Sequence, residues 1–396
     1  MTLDLVCHVV DNYGDIAVVW RLAQALMEDT ADGSRGKWQI RILVDDLAAF
    51  HALTPLVDPS LAVQEIAVPG HRVTVVRSTD KMALRALPLP DVIVEAFGAP
   101  TPVERLEAFF VASATELRAR VVIHLEYLTA EAYSEDYHLL PSPLGRTGVE
   151  RHFFVPGFRR HTGGLVFTDR SAALGTADLP PELRRGDETW LVTVFSYEHD
   201  FSHLWEDLAA YLQRAETPAT ARVMVLAGRP REGALASWQR NADPAITVQL
   251  VPFVDQDTYT ALVNQADFNL VRGEESWVVA ALSGKPFLWH AYLQDDNHQL
   301  VKIDAFLDVL APEFATDGPE AQQAFAAMAA EFRAFNTRPA TAPLRNSADD
   351  APLEHYSVFF EHHEVLSRVL SRWALQMRNS AKLSRRLLDF LNSFRV

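Results

Sequence analysis

The chain has 396 residues, of which 48% are hydrophobic and 22% are charged. This length exceeds what one hydrophobic core usually supports, so we expect two domains. The composition matches ordinary globular proteins, so we expect no extensive disorder. The 52 acidic residues outnumber the 36 basic ones, and the net charge of -16 argues against nucleic-acid binding through charge. Cys7 is the single cysteine, which excludes an internal disulfide and a zinc site built from cysteines.

The amino-terminal stretch MTLDLVCHVVDNYGD has no basic leader, and polar residues interrupt its apolar run well before a membrane-spanning length. We therefore expect a cytoplasmic protein that does not associate with membranes.

The first part of the chain alternates short apolar runs with stretches of helical periodicity. Residues 3–10 predict a strand, the segment DNYGD a loop, and residues 16–27 a helix. Further buried strands are predicted from the runs QIRILVD, VTVV, DVIVEAFG and VVIHLEYL. Residues 1–157 are therefore predicted to form an α/β domain with a mainly parallel sheet.

Residues 158–187 are rich in glycine, proline and charge, and we place the domain boundary there. A second α/β series over residues 187–360 contains the strand-like runs WLVTVFSY, RVMVLAG, VQLVPF, ADFNLV and PFLWH. The predicted fold is thus two Rossmann-like domains that face each other across a cleft, where ligands bind beyond the carboxyl ends of the strands.

The carboxy-terminal part contains a predicted loop, NTRPATAPLRNSADDAP, followed by an apolar and basic tail. The apolar spacing over about residues 365–396 predicts an amphipathic helix. We expect it to pack back on the first domain, in preference to a membrane helix or a docking site for a partner.

The first candidate site is the pair Asp11 and Asp15, which follows the first predicted strand with Gly14 between them. One carboxylate can act as general base or position a cationic acceptor, and Gly14 permits a tight turn. The alternative is a helix cap and a turn, which favour the same residue types.

The second candidate site is the sequence VRGEESW, in which a strand gives way to an apolar helix. The amide groups at the helix start and the fixed cation of Arg272 favour an anion such as the diphosphate of a nucleotide sugar. The alternative is a capped helix beside a solvent-exposed arginine. Aromatic and amide side chains that follow three other strands are predicted to meet at the same rim: Phe195, Tyr197, Phe253, Gln256, Tyr292 and Gln294. Each ring taken alone is also compatible with core packing.

The sequence contains little evidence for a metal site and lacks several common catalytic and cofactor-binding motifs. Asp255 and Asp257 form a DxD string, but they directly precede a predicted helix and are explained by capping. The patterns GxGxxG, GxxxxGK[ST] and GxSxG do not occur, which weighs against a dehydrogenase, a P-loop NTPase and a typical α/β-hydrolase. No metal cofactor is expected.

The segments VVDNYGDIAVVWRLA, VRGEESW and SGKPFLWH, with Tyr292 and Gln294 after them, resemble the family of protein-arginine rhamnosyltransferases that modify elongation factor P. The resemblance spans nearly the whole chain in the same order. It implies a GT-B fold and an inverting transfer of L-rhamnose from dTDP-β-L-rhamnose to one arginine of elongation factor P. Three positions depart from the family pattern: Ala17 stands for a glycine, Glu275 for an aspartate and Leu293 for a proline.

The resemblance also implies roles for the candidate residues. Asp15 is expected to be the general base, Asp11 to orient the acceptor guanidinium, and Glu274 to act at the donor site. The residues implied around the diphosphate are Tyr197, Arg272, Glu275 and Ser276. Those implied around the nucleoside are Phe195, Phe253, Gln256 and Tyr292. Two alternatives remain: a GT-B enzyme with another donor or acceptor, and a nucleotide-sugar binding protein without catalysis.

Overall fold

The computed structural model describes residues 1–10, 13–31, 33–68, 71–115, 120–144, 149–186, 189–214, 220–294, 297–337 and 354–394. The chain divides into two compact units. The first unit contains Met1–Arg170 and Asn379–Val396, and the second contains Ser171–Arg378. No helix in the described ranges has both the length and the apolar character needed to cross a bilayer.

The first unit is built on an eight-stranded sheet. Its strands are β1 Thr2–Cys7, β2 Gln39–Val44, β3 Val63–Val68, β4 His71–Arg77, β5 Val92–Ala96, β6 Arg120–Leu125, β7 Pro141–Pro143 and β8 Val149–Phe154. The order across the sheet is β3-β4-β2-β1-β5-β6-β8-β7. The outer strands β3 and β7 run antiparallel to their neighbours, and the inner strands are parallel.

Helices cover the sheet of the first unit and bury its apolar residues. They are α1 Gly14–Thr30, α2 Leu47–Leu53, α3 Lys81–Ala86, α4 Val103–Thr115, α5 Tyr133–Tyr137, α6 Asp169–Ala173, which crosses the division, and α15 Leu383–Ser393. One face of α1 carries Ile16, Val19 and Leu26 into the main core cluster, to which Leu387 of α15 also belongs. Burial of these apolar side chains stabilises the packing of α1 and α15 on the sheet.

The second unit has a five-stranded, fully parallel sheet in the order β11-β10-β9-β12-β13. Its strands are β9 Thr189–Val194, β10 Thr220–Val225, β11 Ile246–Leu250, β12 Phe268–Arg272 and β13 Phe287–His290. Its helices are α7 Ser202–Arg214, α8 Pro230–Arg240, α9 Gln256–Gln265, α10 Glu274–Ser283, α11 His298–Ala315, α12 Pro319–Thr337, α13 Ser357–Glu361 and α14 His363–Ser380, with short 3-10 turns at Thr176–Asp178 and Pro181–Leu183.

Among the parallel strands of each sheet, the strand order reverses at one point. In the first unit β1 lies between β2 and β5, and in the second β9 lies between β10 and β12. Side chains beyond the carboxyl ends of such strands line a crevice in open α/β sheets. The predicted class, α/β with two Rossmann-like units, is confirmed.

The observed elements extend the predicted ones at several places. The predicted strand VTVV is β4, and its hairpin partner β3 was not predicted because an edge strand buries only alternate residues. The predicted loop after residue 335 begins with the last two residues of α12, and its remainder lies outside the described residues.

The tail prediction of one helix over residues 365–396 is wrong. These residues fall in two helices, α14 and α15, and most of α14 belongs to the second unit. Between α14 and α15 the backbone extends and pairs with Leu165, which accepts from Leu383 N–H at 2.8 Å and donates to the Ala381 carbonyl at 2.6 Å. This bridge takes Lys382 out of helical geometry, so amphipathic spacing alone could not locate the break.

Candidate active site

Asp15 lies in the first turn of α1, beyond the carboxyl end of β1. Its side chain is buried, with 5% of the residue exposed, and one carboxylate oxygen accepts the Val10 N–H at 2.9 Å. The N-cap residue of α1 is Tyr13, which makes no side-chain capping bond. Asp15 is therefore held against the loop that precedes it, and its charge also suits the helix start. Its predicted partner Asp11 lies outside the described residues.

A second carboxylate, Asp45, lies directly after β2 at the same edge of the sheet. It accepts the Val9 N–H at 3.0 Å and pairs with Nδ1 of His8. Burial raises the pKa of the Cys7 thiol, and the charges of Asp15 and Asp45 raise it further. The sequence analysis missed Asp45, although an acidic residue directly after an apolar run is the same signal that singled out Asp11.

Three predicted donor-site residues meet beyond the ends of β9 and β12 in the second unit. The guanidinium carbon of Arg272 lies 4.9 Å from the ring centroid of Phe195 and 4.8 Å from that of Tyr197. The Phe195 N–H donates to the carbonyl of Leu270 at 2.9 Å, which ties the two strand ends together. Cation–π contacts of this kind fix the guanidinium plane. The sequence analysis gave a solvent-exposed arginine as the alternative. Arg272 instead lies against two aromatic rings.

Other predicted donor residues join this group through contacts of their own. The ring centroid of Tyr292 lies 5.8 Å from that of Tyr197, and 64% of Tyr292 is exposed. Nε2 of Gln256 donates to the carboxylate of Glu275 at 3.1 Å. Ser276 is buried in the first turn of α10. Glu275, the departure from the family pattern, thus orients an amide side chain.

Glu274 and Phe253 lie at the same edge, with Phe253 exposed after β11 and Glu274 at the first position of α10. Gly273 is the N-cap residue of α10. Its φ of +72° and ψ of -178° form a conformation essentially restricted to glycine, so the turn after Arg272 requires this residue. Asp255 caps α9 by accepting the Thr258 N–H at 2.7 Å, as the capping interpretation of the DxD string predicts.

His290, which the sequence analysis did not single out, lies beneath this group. It ends β13 in register with Arg272, is fully buried, and its Nδ1 lies 2.7 Å from the hydroxyl of Ser196. Its ring packs edge-on against Tyr197 with centroids 5.1 Å apart. Burial lowers the pKa of His290 to about 3, with further lowering from His199 and Arg272. A neutral imidazole therefore supports the tyrosine on which Arg272 rests.

These features define a class of enzyme. Two Rossmann-like units, with Asp15 beyond the strands at one switch point and Arg272 at the other, form the arrangement of the GT-B type fold, which many glycosyltransferases have.

The chain belongs to the family of elongation factor P (EF-P) rhamnosyltransferases, EarP, whose family model matches residues 3–392. It is 36% identical over 324 residues to a protein-arginine rhamnosyltransferase of Pseudomonas putida, covering 77% of this chain and 80% of the relative. A protein of the same name from Shewanella oneidensis is 30% identical, with 89% and 93% covered. A solved structure described as the structural basis for EarP-mediated arginine glycosylation of translation elongation factor EF-P shares the fold, with a TM-score of 0.59, 23% identity and 99% of both chains covered.

Proposed function

We propose that this chain transfers L-rhamnose from dTDP-β-L-rhamnose to an arginine side chain of elongation factor P and inverts the anomeric centre. The observation that carries the proposal is the placement, in a member of this family, of Arg272 on the rings of Phe195 and Tyr197 beyond β9 and β12. A fixed planar cation at that position matches the diphosphate of a nucleotide sugar.

The second unit is proposed to bind the donor. Nε of Arg272 is buried and makes no hydrogen bond within the described residues, so a phosphate oxygen can take this donor. The start of α10 adds amide N–H groups of the kind that bind anions. The rings of Phe195, Phe253 and Tyr292 and the amide of Gln256 would hold the nucleoside. Tyr197, Glu275 and Ser276 are assigned to the diphosphate, and Glu274 to the donor sugar.

The first unit is proposed to bind and activate the acceptor. A guanidinium group, with a pKa above about 12, is a poor nucleophile because its lone pairs are delocalised and it carries a proton. Asp15, assisted by Asp11, would hold the group and accept a proton from the attacking nitrogen. The nitrogen then forms a bond to C1 of rhamnose, and the bond from C1 to the phosphate oxygen breaks. The electron pair leaves with dTDP, whose charge Arg272 stabilises.

Attack on the face opposite the diphosphate converts the β-linked donor into an α-linked product. No metal is proposed, because Arg272 and the helix start supply positive potential for the leaving group. The partners are elongation factor P and dTDP-rhamnose, without nucleic acid or membrane. A cytoplasmic location is proposed because the acceptor is a translation factor.

The test is incubation of the protein with elongation factor P and dTDP-β-L-rhamnose, followed by mass spectrometry of the acceptor. We expect a mass gain of one deoxyhexose on one arginine, an α linkage by NMR, and the same rate with EDTA. A gain only with another nucleotide sugar would establish a different donor. Tight donor binding without modification would establish a binding protein, and an EDTA-sensitive rate restored by a divalent cation would overturn the metal-free mechanism.

A further inference from the structure

A stacked aromatic pair lies at the same edge of the first unit as Asp15. Phe97 directly follows β5 and Tyr127 follows β6, and their ring centroids are 4.7 Å apart with 20° between the planes. Phe97 is partly buried against the main core cluster, whereas Tyr127 is 48% exposed. One face of Tyr127 is therefore covered by Phe97, while about half of the residue remains exposed.

The backbone holds Phe97 in a conformation that a bulky side chain rarely adopts. Its φ is +57°, and Gly98 after it also has a positive φ of +75°. The Phe97 N–H donates to the carbonyl of Leu125 at 2.8 Å, and the Glu126 N–H donates to that of Phe154 at 3.0 Å. Strained residues persist where the surrounding structure over-determines them, and they cluster at functional sites. These bonds fix the backbone of Phe97, and of the residue before Tyr127, relative to the sheet.

The order of the strands brings this pair near the proposed acceptor chemistry. β1, β5 and β6 are consecutive in the sheet, and adjacent strands are about 4.8 Å apart. The loop after β1 leads to Asp15, so Phe97 lies one strand away and Tyr127 two strands away. Asp15, Asp45 and Glu126 are among the described carboxylates at this edge. The π face of the ring and the negative charge of the carboxylates both favour a cation as the ligand. A planar cation is therefore bound better here than a neutral or anionic planar group.

We propose that the partly exposed ring of Tyr127, supported by Phe97, binds the guanidinium of the acceptor arginine and presents it to Asp15. The inference rests on the proposed arginine acceptor and adds the surface that receives it. Guanidinium stacks on an aromatic face while its edge keeps its N–H groups available for carboxylates. Tyr127 is thus a specificity residue for arginine, because the smaller ammonium of lysine cannot stack in this way.

The test is a double-mutant cycle that measures binding instead of turnover. The dissociation constant of elongation factor P is measured for wild-type enzyme and for Tyr127→Leu, each with dTDP bound. Both measurements are repeated with an acceptor whose target arginine is replaced by glutamine. We expect Tyr127→Leu to weaken binding of the arginine acceptor by about 5- to 30-fold and that of the glutamine acceptor by less than about 2-fold.

Tyr127→Phe is the matched control, since it keeps the ring, and we expect binding within about 2-fold of wild type. Tyr127→Met replaces the leucine variant if that variant does not fold. Equal weakening for both acceptors, or none, would overturn the inference, as would a loss of dTDP affinity in Tyr127→Leu. If the proposed function itself is wrong, the wild-type enzyme will add no deoxyhexose to the acceptor. That result is distinct from the binding results for Tyr127→Leu.

Discussion

Asp15 is the residue to which we assign the proton transfer, and its surroundings fix its carboxylate in place. Its carboxylate is almost fully removed from solvent yet accepts a backbone N–H from Val10, which fixes one oxygen. Asp45 nearby is likewise tied to backbone, through Val9. Two carboxylates at one sheet edge thus have similar backbone contacts, and variants of each separate a base from a group that supports the loop.

Asp15→Asn is expected to lower kcat by about 10²- to 10⁴-fold, because asparagine keeps an acceptor for the Val10 N–H but cannot take a proton. Affinity for dTDP should stay within about 2-fold, since the proposed donor site lies in the other unit. Steady-state kinetics on elongation factor P and calorimetry with dTDP measure the two effects. Asp45→Asn is the control with a smaller expected loss of kcat. A fully active Asp15→Asn enzyme would reject Asp15 as the base.

At the scale of elements, the break between α14 and α15 is held by a buried cation. Lys382 is 2% exposed, and its Nζ lies 2.7 Å from Glu28 and 3.0 Å from Asp29 of α1. Nζ also lies 3.2 Å from Asp169, near the point where the chain passes between the units. The cluster anchors the start of α15 to the end of α1.

Lys382→Met is expected to lower the free energy of unfolding of the first unit by about 3 kcal/mol, because it removes the buried cation from the buried carboxylate of Asp29, which keeps the partly exposed Arg385 as a partner. Lys81→Met is the control. Lys81 pairs with Glu104 at 2.9 Å on the surface, and exposed pairs contribute less than about 1 kcal/mol. Urea denaturation followed by circular dichroism measures both variants. Equal effects of the two substitutions would contradict a stabilising role for the buried cluster.

At the scale of the whole molecule, each unit contains a histidine that must stay neutral. Burial lowers the pKa of His290 to about 3 in the second unit. Burial, with the charge of Arg386, lowers the pKa of His138 to about 4 in the first. Nδ1 of His138 accepts the Val155 N–H at 3.1 Å, a bond that protonation would break. In the unfolded chain both residues return to about 6.5.

Stability should therefore fall as the pH drops below about 6.5, because the unfolded chain then binds protons that the folded units exclude. Between about pH 6.5 and its pKa in the folded protein, each histidine lowers the free energy of unfolding by up to about 1.4 kcal/mol per pH unit. His290→Asn should flatten this dependence in the second unit, and His138→Asn in the first. Urea midpoints between about pH 7 and pH 5 measure the slopes. A variant with an unchanged slope would contradict the assignment of that histidine.

The sequence by itself determined the two α/β series, since apolar runs and helical spacing reflect interactions between residues close in the chain. It located β1, α1, β12 and α10, and it named Arg272, Phe195 and Tyr197 as members of one site. The family resemblance added the activity that the fold alone does not specify.

Only the tertiary structure decided which of these side chains touch. The stacking of Arg272, the burial of His290, the contact of Phe97 with Tyr127 and the ion cluster of Lys382 all join residues from distant segments. Their distances depend on strand order and on how the backbone bends at Phe97 and at residues 381–383. Local periodicity carries no record of those long-range contacts, because it reports which face of an element is buried and not which partner covers it.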